Sequence, residues 1–156
     1  MSDSTDRISQ LRGDSVGKFA AVENEVGEYI ATVYFGEDFE AGNRFLQEIF
    51  EHDFFSFELK KRVFYKILKA RAPESYSNFP RKEMYSLQKT RNIIAHSLVV
   101  MDNPEDYNDF DKIYFQLNGV RHNVGGVIDE FNYYYKAVFE AIISLPGVDK
   151  KVFIEP

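Results

Sequence analysis

The residue types best suited to chemistry stand in one short run, Arg91-Asn92-Ile93-Ile94-Ala95-His96. His96 carries an imidazole, which titrates near neutral pH and can serve as base or acid. Arg91 carries a permanent positive charge on a planar fork that fits phosphate oxygens in a bidentate way. The Asn92 amide can orient a phosphate or the imidazole. If the run is helical, at about 100° per residue, Tyr85, Gln88, Lys89, Asn92, Ala95 and His96 share one face, and Met84, Leu87, Ile94 and Leu98 form a buried stripe on another. The first face joins a base, a cation and hydrogen-bonding groups to one very small residue, Ala95, past which a backbone or a substrate can approach. Arg81 and Lys82 add charge at the start of the same helix, so substrate binding is expected from Lys89, Gln88, Tyr85, Lys82 and Arg81, and catalysis from Arg91, His96 and Asn92.

Arg-Asn-x-x-Ala-His resembles the ribonuclease motif of the HEPN superfamily, an Arg usually followed by a polar residue with a His four to six positions beyond. The order of two long helices, a basic third helix, the motif helix and a long closing helix resembles that superfamily over residues 15–145. The resemblance implies a helical domain that dimerises with its two motifs facing each other. It commonly implies a metal-independent endoribonuclease in toxin–antitoxin, phage-defence or RNA-processing settings, with RNA as substrate, no cofactor, and an antitoxin or regulatory protein as a possible partner. Some members keep the fold as non-catalytic modules that bind RNA, a nucleotide or a protein. HEPN toxins paired with minimal nucleotidyltransferases usually carry a Tyr two positions after the His. Here Ser97 and Leu98 follow His96, so that form of regulation is not implied.

The chemistry asked of such a site is intelligible by itself. RNA supplies its own nucleophile, the 2′-hydroxyl. Cleavage then needs a base for that proton, an acid for the leaving 5′-oxygen and a cation for the phosphorane. His96 suits the first two tasks and Arg91 the third. Five residues on a helix separate Arg91 and His96 by about 140°, and one imidazole cannot be base and acid at the same moment. A twofold dimer lining one composite cleft answers both difficulties. The alternative is that Arg91 pairs with an acidic neighbour and His96 merely hydrogen-bonds the last carbonyls of its helix. A purely structural helical adaptor would also carry such residues without using them.

The net charge of −6 argues against a polyanion partner if charge is spread evenly, but it is not. Between Glu58 and Arg91, Lys60, Lys61, Arg62, Lys66, Lys69, Arg71, Arg81, Lys82, Lys89 and Arg91 face only Glu58, Glu74 and Glu83, which makes that segment +7 and the remainder −13. Such asymmetry can create one electropositive surface. The same residues can equally be ordinary solvated helix faces. Cysteine is absent, so disulfides and thiolate metal sites are excluded and a cytoplasmic setting is expected. The 156 residues, 44% hydrophobic, suffice for one domain with its own core. Charged residues interrupt every apolar stretch, so no membrane association is expected.

The elements that must position the motif follow from apolar spacing. Residues 1–14 read as a frayed N-terminal tail without the apolar core of a secretory signal. Gly13-Asp14-Ser15 then opens a first helix with Val16, Phe19, Val22, Val26, Tyr29, Ile30 and Val33 on its core face, broken by Gly36-Glu37-Asp38. A second helix, capped by Asp38, carries Ala41, Phe45, Leu46, Ile49 and Phe50 and folds back as a hairpin. After His52 and Asp53, Ser56 caps a third, with Val63, Phe64, Ile67 and Leu68 inward, ending before Pro73. Residues 75–80 read as loop, and Pro80 opens the motif helix to about Ser97. Leu98-Val99-Val100-Met101 and Ile113-Tyr114-Phe115-Gln116-Leu117 predict a small two-stranded excursion around 98–118, closed by Asn118-Gly119. A last helix from about Val124 to Leu145 stops at Pro146-Gly147, leaving 146–156 as a tail. The expected fold is therefore all-α, an antiparallel bundle of four to five helices.

No metal site is expected. The acidic stretch Asp102, Asn103, Glu105, Asp106, Asp109 and Asp111 lacks the glycine and spacing of a calcium loop and reads as a solvated turn. His52 and His122 lack ligand spacing to each other or to His96. Of Tyr133, Tyr134 and Tyr135, only Tyr133 is expected to face outward.

Overall fold

A computed structural model describes residues 2–52 and 55–146, with side chains from Arg7 onward. Asp53, Gly147 and nearly all of the expected C-terminal tail lie outside the described residues. The chain is mainly helical, with a small three-stranded antiparallel sheet. In order, the elements are α1 (Ser2–Phe35), α2 (Phe39–Phe45) continued by a π-helical turn (Leu46–Phe50), α3 (Phe57–Arg71), α4 (Pro73–Asn78) and α5 (Arg81–His96). There follow β1 (Leu98–Met101), a 3₁₀ turn (Pro104–Asn108), β2 (Ile113–Leu117), β3 (Val120–Asn123) and α6 (Val124–Ile143). Among the described residues no helix is long and apolar enough to cross a membrane.

The described residues divide into two compact units, residues 2–21 with 80–138, and residues 22–52 and 55–79 with 139–146. Helices α1 and α6 contribute to both. The first unit holds the motif. Its core is built from Ile8 and Phe19 of α1, Met84, Leu87 and Ile94 of α5, Ile113 and Phe115 of β2, and Val127 and Phe131 of α6. Helix α1 begins at Ser2, ahead of the start expected near Ser15, because Ser15 and Ile8 extend the buried face about one and three turns before Phe19. Val16, expected inside, is exposed.

The sheet has order β1-β2-β3, pairing Val99 with Phe115 and Phe115 with His122. Ile113 and Phe115 are wholly buried and alternate with partly exposed Tyr114 and Gln116, the period of a half-buried strand. Asn118 and Gly119 take positive φ of 51° and 79°, which makes the tight two-residue turn favoured between antiparallel strands. That turn leads into β3, a strand beyond the two that were expected. Its sequence, Val-Arg-His-Asn, is too polar to announce itself. Asn123 then caps α6: its Oδ1 accepts from the Gly126 N–H at 2.9 Å, and its Nδ2 donates to the carbonyls of Phe110 at 3.2 Å and Asp111 at 2.9 Å.

In the second unit, Gly36 ends α1 at φ +56°, a left-handed conformation suited to glycine, and Asp38 Oδ1 accepts from the Ala41 N–H at 3.1 Å to start α2. The chain turns back closely enough that a Cβ on Gly27 would lie 2.6 Å from the Phe50 ring. The second helix is not uniform as expected, since its last turn is π-helical and leaves Ile49 exposed while burying Phe50. Ser56 caps α3 as expected, through Leu59 N–H at 3.4 Å. Phe64 packs edge-on against Tyr29 at 5.4 Å and Phe79 at 5.3 Å. Residues 75–80, expected as loop, are largely α4, begun by Pro73 in the first-turn position where a missing N–H costs nothing.

Candidate functional site

Helix α5 presents the motif much as its periodicity predicts. Met84, Leu87 and Ile94 are buried, and Thr90 and Ile93 join them. Leu98, expected to complete the stripe, is 71% exposed, because α5 ends at His96 and the chain enters β1 with the opposite alternation. Ser97 is buried in its place. On the other face Arg81, Lys82, Tyr85, Lys89 and His96 are exposed, while Gln88, Asn92 and Ala95 are half-buried; Arg91, also half-buried, leaves the helix on the side of the buried stripe.

Arg91 is held on two sides. Its guanidinium carbon lies 5.1 Å from the ring centre of Phe19 on α1, a cation–π distance, and its Nη1 donates to Asn92 Oδ1 at 3.0 Å. Its Nε is buried without a hydrogen-bond partner. The contact with Asn92 draws the guanidinium around α5 toward the side of His96, since Asn92 and His96 are four residues apart and occupy neighbouring turns of one face. Arg91 and Asn92 are thus brought together directly, whereas His96 stands one turn on, at the exposed end of the helix.

That end has a support the sequence did not disclose. Ser97 N–H donates to Ile93 at 3.1 Å, and Arg12 Nη2 donates to the Ser97 carbonyl. The Arg12 guanidinium also lies 5.5 Å from the Phe115 ring centre. The side chain serving the Ser97 carbonyl is therefore Arg12 rather than His96. Arg12 and Phe19 are seven residues apart on α1, two turns along one face. A helix begun at Ser2 would have signalled them; a tail through residue 14 hid the first.

The expected substrate-binding residues are not all close to His96. Lys82 and Arg81 lie about 21 and 22 Å from it along the helix axis. Lys89 lines a cavity of ≈ 330 Å³ together with Ile93, His122, Glu130 and Tyr134. The last three were not expected at a site, although the pairing of β3 with β2 is what brings His122 to α5. Tyr133 faces outward as expected.

The basic segment does not form one uniform charged face. Lys60 and Lys61 are buried: Lys60 pairs with Glu23 and lies 4.4 Å from the Phe50 ring centre, and Lys61 pairs with Glu58 at 2.7 Å. These two charges support their own unit, and Arg81, Lys82, Lys89 and Arg91 belong to the other. In the acidic stretch, Lys112 bonds Asp106 at 3.1 Å and holds its carboxyl below the usual range. Among the described residues no group of three His, Asp or Glu side chains is placed to hold a metal ion.

Comparison with family models, curated proteins and solved structures finds no match.

Proposed function

We propose that the chain is a homodimeric, metal-independent endoribonuclease of HEPN type, its helices arranged as an antiparallel bundle. The observation that carries this is the bond from Arg91 to Asn92, which stands one turn from His96 on an accessible face of α5, so that the side chain of Arg91 is drawn toward that face. In the dimer two motifs face across one cleft. His96 of one chain takes the proton of the 2′-hydroxyl, which attacks the adjacent phosphorus. The partner's His96 protonates the departing 5′-oxygen. Arg91 steadies the charge that builds on the phosphorane oxygens, and Asn92 holds its guanidinium in place. The products are a 2′,3′-cyclic phosphate and a 5′-hydroxyl, and no metal enters the balance. A cytoplasmic role in toxin–antitoxin or phage-defence systems, under an antitoxin or regulatory protein, accords with this activity.

One observation favours a second proposal. Arg91 is already engaged by Phe19 and Asn92, an arrangement that also suits a non-catalytic HEPN-like module binding RNA, a nucleotide or a protein. Incubating wild type and His96→Ala with mixed RNAs in EDTA separates the two. Cleavage by wild type alone is expected of the enzyme; no cleavage, or equal cleavage by both, selects the module.

A further inference from the structure

The cavity beside α5 is lined by none of the three candidate catalytic residues Arg91, Asn92 and His96. Its ≈ 330 Å³ lies at the low end of ligand sites, roughly 300–1,000 Å³, and suits one nucleobase and its sugar rather than a strand. Its walls carry a cation, Lys89 from α5, a carboxylate, Glu130 from α6, and the imidazole of His122 from β3, with the ring of Tyr134 one turn further along α6. The sheet places His122 there. It pairs directly with the wholly buried Phe115, so the two side chains share the inner face of a sheet whose middle strand packs against α5.

Guanine is the base whose edges match this set. Its N1–H and N2 amino group are adjacent donors that one carboxylate can accept together, and its O6 and N7 are adjacent acceptors of the kind lysine reads. Adenine and cytosine set an acceptor beside their amino donor, and uracil flanks one donor with two acceptors. Each of these would turn a lone pair toward Glu130. Tyr134 supplies an aromatic ring of the kind on which bases stack. Lys89 and His96 are seven residues apart on α5, about 10.5 Å along the axis and within about 20° around it. The cavity and the candidate catalytic histidine thus adjoin one face.

We infer that this cavity is a guanine-recognition subsite for the strand cut at His96. Glu130 accepts from N1–H and N2, Lys89 and His122 donate to N7 and O6, and Tyr134 stacks on the base. Its part in cleavage rests on the ribonuclease proposal; its affinity for guanine does not.

Titrating the full chain with GMP, AMP, CMP and UMP by calorimetry, beside cleavage of RNAs with guanine moved along a fixed sequence, tests both. GMP is expected to bind at least about tenfold more tightly than the other three, a difference of about 1.4 kcal/mol. His96→Ala keeps that preference and Glu130→Gln loses it, with unfolding curves showing that both variants are folded. Equal or undetectable binding of the four nucleotides, or a preference that survives Glu130→Gln, overturns the subsite. Guanine preference without RNA cleavage keeps the site and overturns the ribonuclease proposal alone. Cleavage indifferent to guanine position overturns the subsite alone.

Discussion

Arg91 donates through Nη1 to Oδ1 of its own neighbour, Asn92, at 3.0 Å, while the same guanidinium rests on the Phe19 ring. Adjacent residues on a helix diverge by about 100°, so this bond holds only because the long arginine side chain bends around the helix. In the proposed enzyme Asn92 therefore acts by positioning Arg91.

Asn92→Ala is expected to lower kcat/KM for RNA by about 10- to 100-fold, as a misplaced charge stabiliser does. The folded state should change little, because Asn92 is only half-buried. Arg91→Lys should cost about 100-fold or more, since an ammonium lacks the planar fork. Cleavage kinetics with thermal unfolding on the same preparations check both, and wild-type rates in Asn92→Ala would remove the positioning role.

How much of this was legible in the residues differs from element to element. The motif helix was readable because Met84, Leu87 and Ile94 recur at helical spacing, and the caps at Asp38 and Ser56 were readable because a short oxygen-bearing side chain there meets an unpaired N–H. The sheet was half readable. Leu98 to Met101 and Ile113 to Leu117 carry strand-like residues, but β3 exists only because Asn118 and Gly119 can both adopt positive φ and return the chain onto β2. What stayed hidden was tertiary. Arg12 and Phe19 reach α5 from far earlier in the chain, and Lys60 is buried by Glu23, a pairing no local pattern encodes.

Gly27 and Gly126 predict opposite outcomes for the same substitution. A Cβ on Gly27 would sit 2.6 Å from the ring of buried Phe50, whereas one on Gly126 would meet only Asn123 Oδ1 at 3.6 Å, an ordinary contact. Alanine is favoured over glycine in a helix by up to about 1 kcal/mol. Gly126→Ala should therefore stabilise by about that amount or less, while Gly27→Ala should destabilise by about 1–3 kcal/mol through overpacking. Urea midpoints measured side by side decide it, and a higher midpoint for Gly27→Ala would contradict the close approach.

Burial pushes the Glu28 carboxyl up to about 7 from its ordinary 4.5, with the nearby Glu25 charge adding to the effect. Between those two pH values the folded chain keeps a proton that the unfolded chain has released. Stability from this group is thus fully present below about pH 4.5 and is lost as pH rises through about 7. Glu28→Gln should make Tm less dependent on pH from 5 to 8 and raise it relative to wild type at pH 8. An unchanged slope would show that Glu28 does not carry this dependence.

The dimer proposed here has a quantitative signature in mixtures of chains. If one His96 is base and the other acid, a dimer with a single intact histidine lacks one of the two proton transfers, and only pairs of wild-type chains cut efficiently. Wild type equilibrated with an equal amount of His96→Ala, at a constant total concentration where dimers form, should then keep about a quarter of the activity of undiluted wild type, because that is the fraction of all-wild-type pairs under random exchange. A chain that cut alone would keep about half. The titration of activity against the wild-type fraction, with exchange followed by labelled chains, distinguishes a squared from a linear dependence, and a linear one would rule out the shared histidines.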